Sequence, residues 1–270
     1  MPGPAPARTA PDGPWSPKAY LTYSAERTQP FIDLVSRSRV AQPERIVDLG
    51  CGPGNGMPVL RSMWPQAQIL GIDSSADMLD RARRATAEDP GIDYQHSDIR
   101  TVELDQPADL IVSNAALQWI PEHRSLLSRI QDNIAPGGVL AVQIPGNFAE
   151  PSHRLLSELA GKEPYREHID PAAMLQRTAE VIDYMHDVAG EGWEVEGWET
   201  TYHHVLQGEN PVYDWVASAA ARPVLQGLPS RLQEQFTAEY KAALREAYPR
   251  THLGTVLRFR RLFFIARRTD

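Results

Sequence analysis

Apolar and polar positions alternate with two different periods along the first half of the chain. Short apolar runs, which are typical of buried strands, alternate with segments whose apolar residues recur at helical spacing. The predicted strands are Arg45 to Asp48, Gln68 to Ile72, Ile92 to Gln95, Leu110 to Ser113 and Val139 to Ile144. The predicted helices lie near Asn55 to Trp64, Ala76 to Thr86 and Arg124 to Asn133, and the turn Ala135-Pro136-Gly137-Gly138 is expected to end the last one. This alternation indicates a parallel sheet covered on both faces.

The pattern changes after Pro145. Helical stretches are predicted over Ser152 to Ala160, Ala172 to Ala189 and Val212 to Tyr248, with strands at Trp193 to Leu206 and Val256 to Arg267. We therefore expect an α/β fold: a doubly wound, mostly parallel seven-stranded sheet in one domain over 18–270. Helical insertions at about 148–192 and 208–254 are expected to form a lid over the strand ends.

Composition narrows the possible functions. A chain of 270 residues with 42% hydrophobic content can bury the core of one large domain. The net charge of −8 argues against a nucleic-acid surface, and no run of about 18 apolar residues predicts a membrane span. The proline-rich start, 1–17, lacks an apolar signal core and is expected to be a flexible leader. A single cysteine, Cys51, excludes an internal disulfide and favours a reducing cytoplasm.

The most specific segment is a glycine-rich turn between the first predicted strand and helix, Asp48-Leu49-Gly50-Cys51-Gly52-Pro53-Gly54-Asn55. Glycines let the backbone approach a ligand closely, and the helix start offers free N–H groups. Asp73, at the end of the next strand, is placed to bind two ribose hydroxyls. The dinucleotide fingerprint G-x-G-x-x-G fails here, because its third glycine would fall at Asn55 or Met57.

Two further strand ends carry polar residues. Asp98 and Ile99 follow the third strand, where a carboxylate can accept a hydrogen bond from an adenine amino group and Ile99 can pack on the ring; an ordinary loop cap is the alternative. The fourth strand runs into Asn114, Gln118 and Trp119. Ligands of open α/β sheets bind at this edge. This segment lacks the Asn-Pro-Pro-Tyr-like run that is usual in enzymes that methylate DNA bases, and its absence argues against a nucleic-acid substrate.

The turn and Asp73 together resemble the first motifs of class I S-adenosylmethionine-dependent methyltransferases. Further runs resemble the trans-aconitate 2-methyltransferase family, and the resemblance spans about Trp15 to Arg268. They include Tyr20-Leu21, Tyr23-Ser24-Ala25-Glu26-Arg27, Asn114-Ala115-Ala116-Leu117-Gln118-Trp119, Ala141-Val142-Gln143-Ile144-Pro145, Trp198-Glu199-Thr200-Thr201-Tyr202-His203-His204 and Arg261-Leu262-Phe263.

This resemblance implies S-adenosylmethionine as cofactor and a carboxylate of trans-aconitate as methyl acceptor, giving a monomethyl ester. An ionised carboxylate can attack the sulfonium methyl directly, so no general base or metal is required. Catalysis would rest on desolvation and on alignment, with Gln118 and Trp119 as the aligning residues. The expected cofactor-binding residues are Asp48, Gly50, Cys51, Gly52, Asn55, Asp73, Ser74, Asp98, Ile99 and Asn114.

A tricarboxylate must be drawn into an acidic protein, so local cations are expected around it. Arginine is suited because its planar fork binds a carboxylate in two places. Which of Arg260 and Arg261 faces the site is open. Adjacent His203 and His204 point to opposite sides of a strand, so they cannot bind one metal together and no metal site is expected. The expected substrate-binding residues are Tyr20, Tyr23, Arg27, Trp119, Tyr202, His203, Arg222 and Arg261.

Two other functions stay open at this point. One is a methyltransferase of the same fold that acts on another small-molecule carboxylate or hydroxyl. The other is a noncatalytic S-adenosylmethionine-binding protein. Strong positive charge in the pocket would favour the polycarboxylate acceptor, and an intact acceptor cavity would argue against a mere binding protein. We expect a monomer or homodimer with a small-molecule polycarboxylate partner, without nucleic acid or membrane.

Overall fold

A seven-stranded sheet organises the chain. The computed structural model describes residues 24–170, 178–217 and 219–269, with side chains from Thr28 onward. The strand order is β3-β2-β1-β4-β5-β7-β6; β1 to β5 pair in parallel, and β7 runs antiparallel to β5. The predicted mostly parallel sheet is confirmed. The strands are β1 (Arg45–Leu49), β2 (Gln68–Asp73), β3 (Ile92–His96), β4 (Ala108–Asn114), β5 (Ile134–Pro145), β6 (Trp193–Leu206) and β7 (Thr255–Arg268).

The helix α1 (Ser24–Arg37) precedes β1 and was not predicted. The other helices of the first half lie between the strands, as predicted, and are α2 (Met57–Met63), α3 (Ala76–Ala85) and α4 (His123–Gln131). Ser75 caps α3, since its hydroxyl accepts from the Met78 N–H at 3.4 Å. The prediction that 135–138 ends a helix was wrong. These residues lie inside β5 as an irregularity, because Ile134 pairs with Ala108 while Val139 pairs with Leu110.

The first helix of the second half agrees with the prediction, and the later helices are shorter than predicted. The helices of this half are α5 (Pro151–Ala160), α6 (Val181–Val188), α7 (Pro211–Ala217), α8 (Arg222–Gly227) and α9 (Ser230–Ala247). The single block predicted over Val212 to Tyr248 is thus three helices. Pro223 stands in the first turn of α8 and Pro229 precedes α9, where proline can begin a helix but cannot continue one. Of the stretch predicted from Ala172, the described residues are helical only from Val181.

The described residues form two compact units. The sheet unit comprises 24–149, 178–204 and 257–269. Its sheet is covered on both faces: α1, α2 and α3 contribute Leu34, Leu60 and Leu79 to one buried cluster, while α4 and α6 contribute Leu127 and Tyr184 to the other. This is the doubly wound arrangement that the alternating pattern predicted.

The helical unit comprises 150–170, 205–217 and 219–256. Its core is aromatic, with Tyr165 edge-on to Phe236 at 5.0 Å between ring centres. Tyr240 donates a hydrogen bond to the Ser152 carbonyl at 2.6 Å, which ties α9 to α5. The lid role of this segment stays a prediction, and the predicted leader, 1–17, lies outside the described residues. No helix within the described ranges is both long and apolar enough to cross a membrane.

Candidate active site

The glycine turn after β1 adopts the backbone conformation that its sequence predicts. Gly50 and Gly52 have φ values of 79° and 56°, a region that residues with a Cβ rarely adopt. A Cβ on Gly50 would lie 2.2 Å from the Cβ of Ala116, whereas one on Gly52 would meet no atom of the described residues within 4 Å. Gly50 therefore packs against the segment that follows β4, and the described residues leave space beside Gly52 in which a ligand can approach the backbone.

Asp73 connects the end of β2 to this turn. Its Oδ2 accepts from the Gly52 N–H at 2.9 Å, and its Oδ1 accepts from the Ser75 N–H at 2.8 Å. A carboxylate has about four lone-pair sites, so each oxygen can accept one further hydrogen bond. The structure thus brings Asp73 to the glycine turn, with acceptor capacity left for two hydroxyl groups.

Two residues of the turn are buried. Asp48 is 3% exposed, and burial, followed by the nearby charge of Asp73, raises its pKa to about 7. Burial likewise raises the pKa of the Cys51 thiol well above its usual range. A thiol with a raised pKa is a poor nucleophile, and the predicted contact of Cys51 with the cofactor stays a prediction.

The other expected cofactor residues lie around the same edge. Ile99 is buried, while Asn55 and Ser74 are exposed. Asp98 accepts hydrogen bonds from the Arg100 side chain at 2.6 Å and from the Arg100 N–H at 2.8 Å, and the guanidinium lowers the pKa of that carboxyl. Because Arg100 occupies both oxygens, the adenine contact of Asp98 stays a prediction.

The segment after β4 contains buried acceptor atoms. The Asn114 Oδ1 and the Gln118 Oε1 have no hydrogen-bond partner among the residues that the structure describes. The Gln118 amide donates to the Ala115 carbonyl at 2.6 Å, and Ala115 has a φ of 54°. Trp119 is 49% exposed. Unsatisfied buried polar atoms beside a strained backbone are features of ligand sites.

Asn114, Gln143 and Arg261 form an amide–arginine cluster at the carboxyl end of β5. The sheet register pairs Asn114 with Gln143, and Pro145 with Arg261, so the three side chains share one face. Asp48 lies on the same face, because it pairs with Val112, two residues before Asn114. Arg261 donates to the Gln143 Oε1 at 3.1 Å. Its guanidinium carbon lies 4.4 Å from the centre of the Phe259 ring.

The structure distinguishes the two adjacent arginines of β7. Arg261 is 5% exposed, in the cluster. Arg260 points to the other face and donates to Glu199 at 2.5 and 2.8 Å and to Glu180 at 2.5 Å. Arg261 is therefore the arginine of this strand that lies with the polar residues of the strand ends.

The residues predicted on β6 do not all lie on this face. Trp198 stacks on Phe263 at 4.9 Å, which places Tyr202, four residues later, on the same side. Tyr202 donates its hydroxyl proton to Asp33 of α1, so that proton is not available to a substrate. His203 is exposed and points to the opposite side of the strand, and its contact with a substrate stays a prediction. His204 is buried on the same side of β6 as Tyr202, and the centres of these two rings lie 6.0 Å apart.

The remaining predicted substrate residues stay predictions. Tyr20, Tyr23 and the side chain of Arg27 lie outside the described residues, and Arg222 belongs to the helical unit. In the described ranges, no group of three or more His, Cys, Asp or Glu side chains is placed to hold a metal ion.

Sequence reasoning missed Gln143 and Asp33 as parts of the site. Gln143 had one available signal, because it is the single polar residue in the run Val139-Leu140-Ala141-Val142-Gln143-Ile144. Asp33 had none, because its partner Tyr202 is 169 positions away.

Solved structures share the fold of this chain. The YcgJ protein from Bacillus subtilis has a TM-score of 0.58 at 12% identity, over 91% of this chain and 99% of that one. Phosphoethanolamine N-methyltransferase 2 from Haemonchus contortus, in complex with S-adenosyl-L-methionine, has a TM-score of 0.53 at 17% identity, over 90% of this chain and 53% of that one.

Comparison of sequences identifies the family of this chain, whereas the solved structures show only its fold. A family model described as a methyltransferase domain matches residues 46–138, which contain β1 to β4 and the glycine turn. Trans-aconitate 2-methyltransferase from Methylobacterium nodulans is 44% identical over 94% of this chain and 98% of its own length. The trans-aconitate 2-methyltransferase from Streptomyces avermitilis is 45% identical over 93% of this chain and 96% of its own length. Identity of this level over nearly the whole length of both chains shows that this chain belongs to the trans-aconitate 2-methyltransferase family.

Proposed function

We propose that this chain transfers a methyl group from S-adenosylmethionine to one carboxylate of trans-aconitate, forming a monomethyl ester. The observation that carries the proposal is the buried Arg261, which lies at the carboxyl end of the sheet on the face that also holds Asn114 and Asp48. A buried guanidinium at a ligand-binding edge is suited to a carboxylate. The names of the relatives supply the identity of the acceptor.

The residues of the glycine turn fit the cofactor. The described residues leave space beside Gly52, and Asp73 retains lone pairs for the two ribose hydroxyls. The backbone of the turn and Ile99 would hold the remaining parts of the nucleoside. When bound, S-adenosylmethionine supplies a methyl group on a sulfonium, which an anionic oxygen can attack directly.

The acceptor brings its own nucleophile, so this chain has to bind, orient and desolvate it. Its carboxylates are ionised at neutral pH and need no general base. Arg261 should hold a carboxylate that does not react, because a charge-assisted pair with the reacting one would lower its nucleophilicity. The amides of the half-buried Asn114 and the buried Gln118 and the indole of Trp119 would then line the reacting end.

Binding the negative charge of the acceptor is not sufficient for catalysis, because the position of the reacting carboxylate oxygen also matters. Holding a carboxylate oxygen in line with the methyl group can contribute up to roughly 7–11 kcal/mol to the barrier reduction. Rigid strand ends are suited to this role, since Asn114 and Arg261 are both held by sheet pairing.

A substrate panel tests the proposal. The purified chain is incubated with methyl-labelled S-adenosylmethionine and trans-aconitate, other tricarboxylates, dicarboxylates, fatty-acid-like monocarboxylates and small alcohols. Mass spectrometry then locates the methyl group in the product. We expect a monomethyl ester of trans-aconitate as the preferred product. Preference for a monocarboxylate or a hydroxyl would favour the other acceptor class, and cofactor binding without any turnover would favour a noncatalytic protein.

We also propose a cytoplasmic location and a monomeric or homodimeric state. The free, buried thiol of Cys51 is consistent with a reducing compartment. Fractionation and light scattering would test these two points separately from the activity.

A further inference from the structure

Gln143 is a polar residue in an apolar part of the sheet. It is fully buried, and so are its strand neighbours Val142 and Ile144, each at 0% exposure. Its Nε2 has no acceptor among the described residues. An unsatisfied buried N–H destabilises the folded state, and a methionine or leucine at this position would not carry one. Local violations of this kind mark functional positions in folded proteins, so the contact that Gln143 does make is informative.

That contact is with Arg261. The Gln143 Oε1 accepts from Nη1 at 3.1 Å, while the Phe259 ring lies 4.4 Å from the guanidinium carbon. A hydrogen bond in the guanidinium plane and an aromatic ring against its face together restrict the orientation of the fork. Arg261 and Gln143 are both more than nine-tenths buried, so neither contact competes strongly with water.

The hydrogen-bond acceptor that Gln143 offers to Arg261 is uncharged, and this affects how the guanidinium can bind an anion. A glutamate in place of Gln143 would reach the same nitrogen, but it would form an ion pair and add a negative charge beside the guanidinium. A glutamine orients the arginine and adds no charge to it. For an anionic ligand this difference is large, because like charges repel strongly where water is excluded.

We propose that Gln143 is a positioning residue that orients the Arg261 guanidinium through a neutral acceptor and thereby sets the preference of the enzyme for acceptors with more than one carboxylate. This inference rests on the proposed function, because it assigns to Arg261 a carboxylate that does not react. It adds a residue that acts through Arg261 and does not itself touch the reacting atoms.

The test compares two variants, Gln143→Glu and Gln143→Met, with wild type. Steady-state kinetics give kcat and KM for trans-aconitate and for a monocarboxylate, and calorimetry gives the affinity for S-adenosylhomocysteine. We expect Gln143→Glu to raise the KM for trans-aconitate by about tenfold or more, with a much smaller change for the monocarboxylate. Gln143→Met should raise it less, because it removes the acceptor but adds no charge.

Gln131→Glu is a matched control. Gln131 is also buried, at 8% exposure, but its amide donates to the Val188 carbonyl in the layer of α4 and α6, on the opposite face of the sheet. This variant carries the same chemical change and a comparable burial of charge. It should lower stability without changing the ratio of the two KM values.

A double-mutant cycle with Arg261→Met assigns the effect to its partner. If Gln143 acts through Arg261, Gln143→Glu should change KM little once the guanidinium is absent. The inference is refuted if Gln143→Glu and Gln143→Met both stay within about twofold of wild type for trans-aconitate, or if their effect persists in the Arg261→Met background. Gln143→Met alone suffices for this decision if the glutamate variant does not fold. A wild-type chain that methylates no polycarboxylate would instead refute the proposed function, and this inference with it.

Discussion

Replacement of Asp48 by asparagine should change the pH dependence of folding. Asp48 is 3% exposed, and its pKa is raised from 3.8 to about 7, first by burial and then by the charge of Asp73. In the unfolded chain the carboxyl has its ordinary pKa. Between these two values the folded protein holds a proton that the unfolded chain has released, so the free energy of unfolding falls as pH rises.

The magnitude follows from the width of this window. A shift of about three pH units at 1.36 kcal/mol per unit corresponds to roughly 4 kcal/mol. This stabilisation is fully present below about pH 4 and is lost by about pH 7, above which the folded state contains a buried carboxylate. Asparagine has nearly the same shape and does not titrate. The difference in unfolding free energy, Asp48→Asn minus wild type, should therefore rise with pH by up to roughly 4 kcal/mol.

Urea denaturation of both proteins without cofactor, at several pH values from about 4.5 to 8.5, measures this difference. Asp98→Asn serves as a control without a slope in this range. The Arg100 side chain lowers the pKa of Asp98, so the stability that the wild-type carboxylate contributes is lost only in acid below its ordinary pKa, and the difference for this variant should stay nearly constant over the assay. A difference for Asp48→Asn that stays constant over this pH range would refute the raised pKa and imply that the site stabilises the charged form.

Four other outcomes are expected. Arg261→Met should raise the KM for trans-aconitate by the equivalent of about 2–5 kcal/mol and leave the affinity for S-adenosylhomocysteine nearly unchanged. Arg124→Met is its control, because Arg124 forms an exposed ion pair with Asp187 and its loss should not change this KM. Asp73→Ala should weaken S-adenosylhomocysteine binding by about 1–3 kcal/mol in calorimetry, and an unchanged affinity would exclude its ribose role. Gly50→Ala should lower the unfolding free energy by more than about 1–2 kcal/mol in urea, because of its positive φ and the 2.2 Å approach to Ala116. The rate at saturating substrates should be nearly flat from about pH 6.5 to 8.5, and a neutral pKa in kcat that persists in Asp48→Asn would indicate a general base and a hydroxyl acceptor.

Local sequence determined the sheet and the glycine turn. Strand and helix periods depend on which side chains face the core, and this information lies within each short segment. The turn was equally readable, because Gly50 and Gly52 adopt a backbone conformation that few other residues tolerate. The helical block near Val212 contained its own signal too, since Pro223 and Pro229 stand where α8 and α9 begin.

The tertiary structure decided which polar side chains meet. Arg260 and Arg261 are equivalent in the sequence, and only the antiparallel register of β7 on β5 places Arg261 opposite Pro145, next to Gln143. The same reason explains why His203 points away. A strand alternates its faces, but which of the two faces lies over the site is set by the neighbouring strands and helices. Residues far apart in the chain acquire their chemistry from that register, and no local pattern contains it.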